Sequence, residues 1–562
     1  MINLNASKMA RKTAGSNNMV AIIAVVVVVA IILVALILFL LFKPGKGPSI
    51  MGADLANYYP QDTIFYAELN ITPEKLKKLK ELSGDSFSFQ SIADGIKHAA
   101  KQPGETIQAM EIFNELNKTL EPQFAMGIWA TEGSEEKPDN VVFASVVKNK
   151  DNVPQLMDKL TEGKANFAPE NVDGQEFYVA TDGKGGAYVV SGDILLFSDK
   201  VETLQLALNQ AKSGKMNVLE TKEAKNVLSN LPSEKILTAL INISNISKVA
   251  SKDPDLKTKD SLESKLQQVD NLTKTMAYTG VAVDLKDNVL IAKSFTPYAL
   301  EELEDPALKE VLQKLGSVTN KLDSPTILPA DTFMFMSISG LDQFFLLSVQ
   351  MMDEKDQQMY QQQKQMVTMM TQLDVDTDVL PVISEELTIA ASLKDKQPEP
   401  MVLLTSKDKS LQTLNKLAGS MAMMDPSTSI TEESSSGTKL SVIQASGLPF
   451  KLAFGKVNDL IILGKKDSVK TAVEDASDAS KSLAKNEIYK DLSKYIQTNP
   501  SFVLFVNANK LSEAADVLGK SKQQIENIKD MNKNMDGLII SVGSKDNKAI
   551  TGNFVMKLKK AS

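Results

Sequence analysis

The sequence predicts an α+β protein in which an N-terminal single transmembrane helix precedes two duplicated domains of mainly antiparallel sheet covered by helices. Three observations predict it. One apolar run without a charge extends from Met19 to Phe42. The body behind it repeats one order of segments, with Pro60 and Pro329 standing 269 residues apart. Within each copy, runs of strand length alternate with short polar turns, and strands joined by tight turns pair antiparallel.

The apolar run spans roughly 36 Å at ~1.5 Å per helical residue, enough to cross a bilayer. It ends at Leu40-Leu41-Phe42-Lys43-Pro44 without the small residues of a secretory cleavage site, and the chain has no cysteine to acylate. An uncleaved signal anchor is expected. Lys8, Arg11 and Lys12 precede the span, against Lys43 and Lys46 behind it. The positive-inside rule then makes residues 1–18 a cytoplasmic tail and the body extracytoplasmic. Residues 43–54, with Pro44, Gly45, Gly47 and Pro48, form a short tether that holds the body near the lipid.

Composition narrows what that body does. All 70 Asp and Glu but only 57 of the 62 Lys and Arg follow residue 50, a formal charge of −13. Such a surface is repelled by nucleic acid and by anionic headgroups, and no basic stripe with interleaved aromatics relieves it, so no nucleic-acid partner is expected. Without cysteine there are no disulfides and no thiolates. This composition suits a bacterial envelope protein, and the triplets Asn117-Lys118-Thr119 and Asn245-Ile246-Ser247 carry little weight as glycosylation sites.

The repeat fixes the elements in order. Tyr59-Pro60-Gln61-Asp62-Thr63 and Leu328-Pro329-Ala330-Asp331-Thr332 each introduce a strand, because proline cannot donate to a ladder and aspartate closes a turn onto the backbone. A long helical region follows, then hairpins formed by residues 124–130 with 141–147 and by 387–393 with 401–405. A helix comes next, around 153–160 and 411–417. Strand pairs follow at 187–190 with 194–197 and at 452–454 with 460–463, each leading into a helix. The copies close with a buried strand (236–243; 502–506), a helix, and a hairpin turning at Lys286-Asp287-Asn288 or Lys545-Asp546-Asn547. Helices should cover one face of each sheet. The domains are residues 55–298 and 326–560, joined by a helical connector at 299–325.

The strand starts Tyr59 to Thr63 and Leu328 to Thr332, together with the run Ala187 to Ser198 leading into the helix Glu202 to Ala211, resemble the bacterial envelope family catalogued as domain of unknown function 3352. The resemblance extends over most of the body. It implies an envelope-associated, single-span protein and brings no catalytic residues.

Side chains suited to catalysis are scarce. There is one His, His98, in a helical stretch, and one Arg, Arg11, before the span. No nucleophile elbow stands with His98, and a zinc site built on several His or Cys is excluded by count. Asp374-Val375-Asp376-Thr377-Asp378, with Glu385 in twelfth place, copies the acidic positions of a calcium loop. Val379 stands where such a loop needs glycine and Pro381 obstructs its strand, so a solvated loop is the better reading. Gly183-Lys184-Gly185-Gly186 lacks the spacing of a phosphate loop and reads as a hairpin turn. Glu385 and Glu386 are adjacent and face opposite ways if extended.

Phe345, Met352, Met359, Met366 and Leu373 recur every seven residues, with Val349 and Met370 beside them, forming one seam on a helix of about eight turns. The ordinary reading is a core face packed on the sheet. A pliable docking face for a partner, formed by Met352, Met359, Met366 and Met370, is the second. Copper(I) held by thioethers is the third, without His or Cys to support it.

The function expected from these features is a non-enzymatic, membrane-anchored binding or scaffolding module of the bacterial envelope. It needs no cofactor, and its partners are the membrane, through Met19 to Phe42, and another envelope protein. The alternative is a carboxylate-dependent hydrolase acting on envelope glycan or peptide, which requires a cleft with clustered Asp and Glu. An apolar-ligand carrier, with a cavity lined by Leu, Ile, Phe and Met, is a third class.

Overall fold

The computed structural model describes residues 55–71, 74–75, 118–130, 140–160, 166–181, 186–245, 275–303, 306–350, 352, 354–519 and 521–559. The tail, the expected span at 19–42, the tether and His98 lie outside the described residues, as do residues 183–185. Among the described residues no helix is long and apolar enough to cross a membrane. The chain divides into two compact units, Met1–Asp287 with Ser294–Pro297 and Lys560–Ser562, and Asn288–Lys293 with Tyr298–Lys559.

The first unit contains strands Phe65–Asn70 (β1), Leu120–Trp129 (β2) and Asn140–Val147 (β3), then helix Val153–Leu160 (α1). Strands Phe167–Val172 (β4), Gln175–Ala180 (β5), Ala187–Ser191 (β6) and Ile194–Ser198 (β7) follow. Helices Val201–Ser213 (α2) and Lys222–Ser229 (α3) lead to Leu237–Asn242 (β8) and Tyr278–Lys286 (β9). The boundary between the units falls within Val289–Pro297 (β10). The pairing order is β4-β5-β6-β7-β3-β2-β1-β8-β9, antiparallel throughout.

Helix ends follow from local chemistry. The Thr221 hydroxyl accepts from the Ala224 amide and starts α3, while Gly214 takes the left-handed conformation that ends α2. Leu204, Ala207 and Leu208 of α2 and Ala224 and Val227 of α3 are buried. In a separate cluster, Val153, Leu156 and Met157 of α1 pack with Leu120, Tyr188 and Leu195.

The second unit opens with helix Pro306–Ser317 (α4), strand Thr332–Ile338 (β11), helices Leu341–Gln350 (α5) and Glu354–Thr371 (α6), and strands Leu387–Lys394 (β12) and Gln397–Thr405 (β13). Helix Asp408–Met424 (α7) precedes Ser429–Ser435 (β14), Thr438–Gln444 (β15), Leu452–Val457 (β16) and Leu460–Lys465 (β17). Helices Lys466–Ala476 (α8) and Glu487–Ser493 (α9) lead to Pro500–Asn507 (β18). Short helices Ala508–Glu513 (α10) and Ala515–Leu518 (α11), then Lys522–Asn534 (α12), precede the hairpin Met535–Lys545 (β19) and Ala549–Leu558 (β20). The pairing order is β14-β15-β16-β17-β13-β12-β11-β18-β19-β20, again antiparallel.

Its first nine strands, from β14 to β19, follow the order of the first unit. The two prolines fold alike as well. Pro60 makes an isolated bridge to Asn217 and Pro329 one to Ser482, and the Thr63 and Thr332 amides each donate to the proline carbonyl at 3.0 Å. The closing turns differ by one residue: β9 and β10 are joined by Asp287-Asn288, β19 and β20 by Asp546-Asn547-Lys548.

Helices lie on both faces of the second sheet, which corrects the expectation of one covered face. The strand period of two divides β17 cleanly. Leu460 and Ile462 join the core closed by Val469, Ala472 and Val473 of α8 and by Tyr489 and Leu492 of α9. Ile461 and Leu463 join the opposite cluster, closed by Leu411, Leu414 and Ala418 of α7. Both sides of these central strands are therefore apolar. Two hairpins escaped the sequence reading, β4–β5 turning at Asp173-Gly174 and β14–β15 at Ser436-Gly437. All four turn residues have positive φ, as tight hairpin turns require.

Candidate docking site

The methionine seam does not form one long helix. The chain breaks between α5 and α6, where the Gln357 side chain donates to the carbonyls of Val349 and Met352 at the end of α5. Within α6 the half-buried positions are Asp356, Tyr360, Lys364, Thr368 and Thr371, spaced by four, four, four and three. That is the stripe a helix turns toward its own protein, and here it is polar.

Each described contact on this stripe is specific. The Tyr360 ring meets Phe345 of α5 edge-on at 5.6 Å. The Lys364 ammonium donates to the Asp376 carboxylate, and that hydrogen bond holds it above its ordinary pKa. Burial raises the Tyr360 phenol, and the Asp376 charge adds to the effect. Ser420 of α7 donates to the Thr371 carbonyl at 2.8 Å, tying the C-terminal ends of α6 and α7 together. The Lys416 ammonium of α7 lies 3.8 Å from Asp378, and Thr413 donates to the Asp378 carbonyl.

With its polar stripe inward, α6 turns its apolar residues outward. Met359, Met366 and Met370 of the expected docking set share one helical face, and Met366 is 54% exposed. Met352, the fourth member, is half-buried in the break before α6. A core face packed on the sheet is thereby overturned for Met359, Met366 and Met370, while Leu373 at the end of the seam is buried. The stripe turned inward is the polar one, with Tyr360 against Phe345 and Lys364 on Asp376.

Further apolar residues, missed by the sequence reading, are exposed on α6 and α7. Met369 is 77% exposed and Val367 is exposed beside it, while Leu417, Met423 and Met424 line the end of α7. The signal was the doublets Met369-Met370 and Met423-Met424, since neighbours on a helix point about 100° apart and both cannot enter one core. Between Gln357 and Thr371, α6 carries Lys364 as its sole charge, and that charge is bound to Asp376. Gln358, Gln361, Gln362, Gln363 and Gln365 are exposed around the methionines. An exposed, uncharged, apolar surface of this kind marks a contact site for another molecule.

The other sequence candidates are engaged elsewhere. Asp374 accepts from the amides of Asp376 and Thr377, starting a helical turn over Val375–Val379 where a solvated loop was expected. The hydrogen bond from Thr377 holds the Asp374 carboxyl below its ordinary value. Asp374, Asp376 and Asp378 thus face different partners, and among the described residues no group of three or more His, Cys, Asp and Glu is placed to hold a metal ion. Glu385 and Glu386 do point apart. Glu385 is half-buried and pairs with Lys407 at 2.8 Å. Glu386 is buried and accepts from the amides of Asp323 and Ser324 and the hydroxyls of Ser337 and Thr388.

A family model described as Protein of unknown function (DUF3352) matches residues 21–440. No curated protein matches the chain, and no solved structure does.

Proposed function

This chain belongs to the family described as Protein of unknown function (DUF3352), and we propose that it is a membrane-anchored, extracytoplasmic binding or scaffolding module of the bacterial envelope, without catalysis of its own. One observation carries this reading: α6 places its polar stripe against its own unit and offers Met359, Met366, Met369 and Met370 to the outside. Thioether side chains are flexible and polarizable, so such a surface adapts to another surface at low cost.

The apolar run at residues 19–42 supplies the anchor, and the charges flanking it supply the orientation. The body derives from one ancestral unit by duplication. The common strand order and the matching turns at Pro60 and Pro329 support that origin. Its partner is another protein of the envelope, since a body of charge −13 meets anionic lipid and nucleic acid with repulsion.

Protease added outside intact cells should digest the body of the full chain. A body that survives until the cytoplasm is opened would overturn both anchor and orientation. Docking is tested by the double substitution Met366→Glu with Met370→Glu. It should keep the fold yet lose the adducts that crosslinking captures in intact cells, and unchanged adducts would remove α6 as the docking face.

A further inference from the structure

The pairing registers of β12, β11, β18, β19 and β20 bring their side chains into rows that cross the second sheet. On one face the central row is Ile389, Met336, Leu504, Ile540 and Phe554. The rows beside it, from Ala391 to Met556 and from Leu387 to Gly552, are likewise apolar or glycine at every position. With strands about 4.8 Å apart, each row runs roughly 19 Å without interruption. This face is open. Ile389, Met334 and Met336 are 44%, 39% and 36% exposed, and within the three rows Val506 alone is buried.

Its polarity is the reverse of the pattern that a sheet with one watered face shows. Ser337, Thr388, Ser541 and Asn553 lie on the opposite face, beside the core residues Phe335, Phe505 and Ile539. The charged residues of these five strands are Lys394, Asp536 and Lys545 at or beside strand ends, and Lys557 on the opposite face, bound to Asp491. At the corresponding places of the first unit Ala67, Leu69, Ala239 and Ile241 are buried, so the fold closes this face in one copy and opens it in the other.

The chemistry of the face selects its occupant. A protein interface carries about one hydrogen bond per 100–200 Å², and no side chain in the three rows donates or accepts. The backbone offers nothing either, because β12, β11, β18 and β19 are each paired on both sides. A hydrocarbon chain alone needs no such partner and gains by leaving water. Charge narrows the choice further: a body of −13 repels anionic headgroups and not zwitterionic ones.

We propose that this face binds the acyl chains of a zwitterionic phospholipid, laid along the rows. The pliable Met334, Met336 and Met556 side chains let the surface follow a flexible chain. None of these residues belongs to α6, so the lipid site goes beyond the docking reading and stands without it.

The test uses the full chain in vesicles of phosphatidylcholine that carries a diazirine in one acyl chain. After irradiation the adducts are located by peptide mass spectrometry. They are expected in β11, β12, β18 and β19, besides those in residues 19–42. Met336→Glu should lower the sheet adducts roughly fivefold or more, since a buried charge opposes hydrocarbon, and leave those of residues 19–42 unchanged. Ile389→Glu, at the most exposed position, guards against a variant that fails to fold and should give the same loss. Strands free of adducts, or adducts that neither charge lowers, overturn the proposal. Because the chain contains no cysteine, Met336→Cys carries a unique thiol for a photocrosslinker in intact cells. Capture of lipid there supports the site, and capture of a protein in its place overturns it.

Discussion

At Glu386 a carboxylate with 3% exposure accepts hydrogen bonds from two amides and two hydroxyls. The amides belong to Asp323 and Ser324, so this side chain fastens the segment after α4 to β11 and β12. Glu386→Ala should cost roughly 3 kcal/mol, because four donors lose a buried, charged acceptor. Urea unfolding checks it, and a shift within about 0.5 kcal/mol would contradict the assignment. Asp491 behaves differently at the surface. The Lys557 and Lys494 ammonium groups, at 2.7 and 2.9 Å, draw its carboxyl down to about 2 from the ordinary 3.8. A depressed carboxylate contributes stability that is complete above the unfolded value and is lost as the pH falls from there through about 2. Asp491 is exposed enough for solvent to screen the pair, so Asp491→Asn should cost less than about 1 kcal/mol near neutral pH. That difference should vanish below about pH 2, and urea titrations on both sides of the window test it. Neither role could be read from sequence, since seventy carboxylates look alike until the fold gives each a partner. Glu385 and Glu386 precede the strand that begins at Leu387, so their different partners come from the loop and not from strand alternation.

Among the elements, those marked by turn chemistry or by an alternating run were legible in sequence. Helix α1 and strands β3, β6, β7 and β12 fall within a residue or two of their expected positions. Strands β4 and β14 were not seen, because nearly all their residues are exposed and they show no apolar run. Their turns, Asp173-Gly174 and Ser436-Gly437, were the available sign. Helix α6 is the instructive error. Heptad spacing told that its methionines share a face, and it could not tell which way that face points. On its inner side the helix is held by Tyr360 against Phe345, by Lys364 on Asp376 and by Ser420 on the Thr371 carbonyl. The two stripes should therefore respond oppositely to substitution. Tyr360→Ala, on the inner stripe against Phe345, should destabilise the protein by roughly 2 kcal/mol. Met366→Glu, on the outer one, should change stability by less than about 0.5 kcal/mol. Thermal melts of the two variants measure this, and the reverse order would mean that the methionines are the buried side.

For the whole molecule, one pairing order is found in both units, β4-β5-β6-β7-β3-β2-β1-β8-β9 in the first and β14-β15-β16-β17-β13-β12-β11-β18-β19 in the second. Pattern sufficed there because the hairpins are local and the apolar runs long. The position of helices on both faces was not legible, since a run such as Leu460-Ile461-Ile462-Leu463 is apolar throughout and names no side. What unites the levels is the outward apolar face of α6 on a charged body. Its state can be measured by exposing the full chain to dilute hydrogen peroxide, once purified at low concentration and once in intact cells, and mapping methionine sulfoxide by mass spectrometry. The account predicts that Met359, Met366 and Met370 oxidise readily in the dilute chain, as Met216 does, and that in cells they are spared while Met216 is not. Protection in the dilute chain, or equal oxidation of all four in both settings, would contradict it.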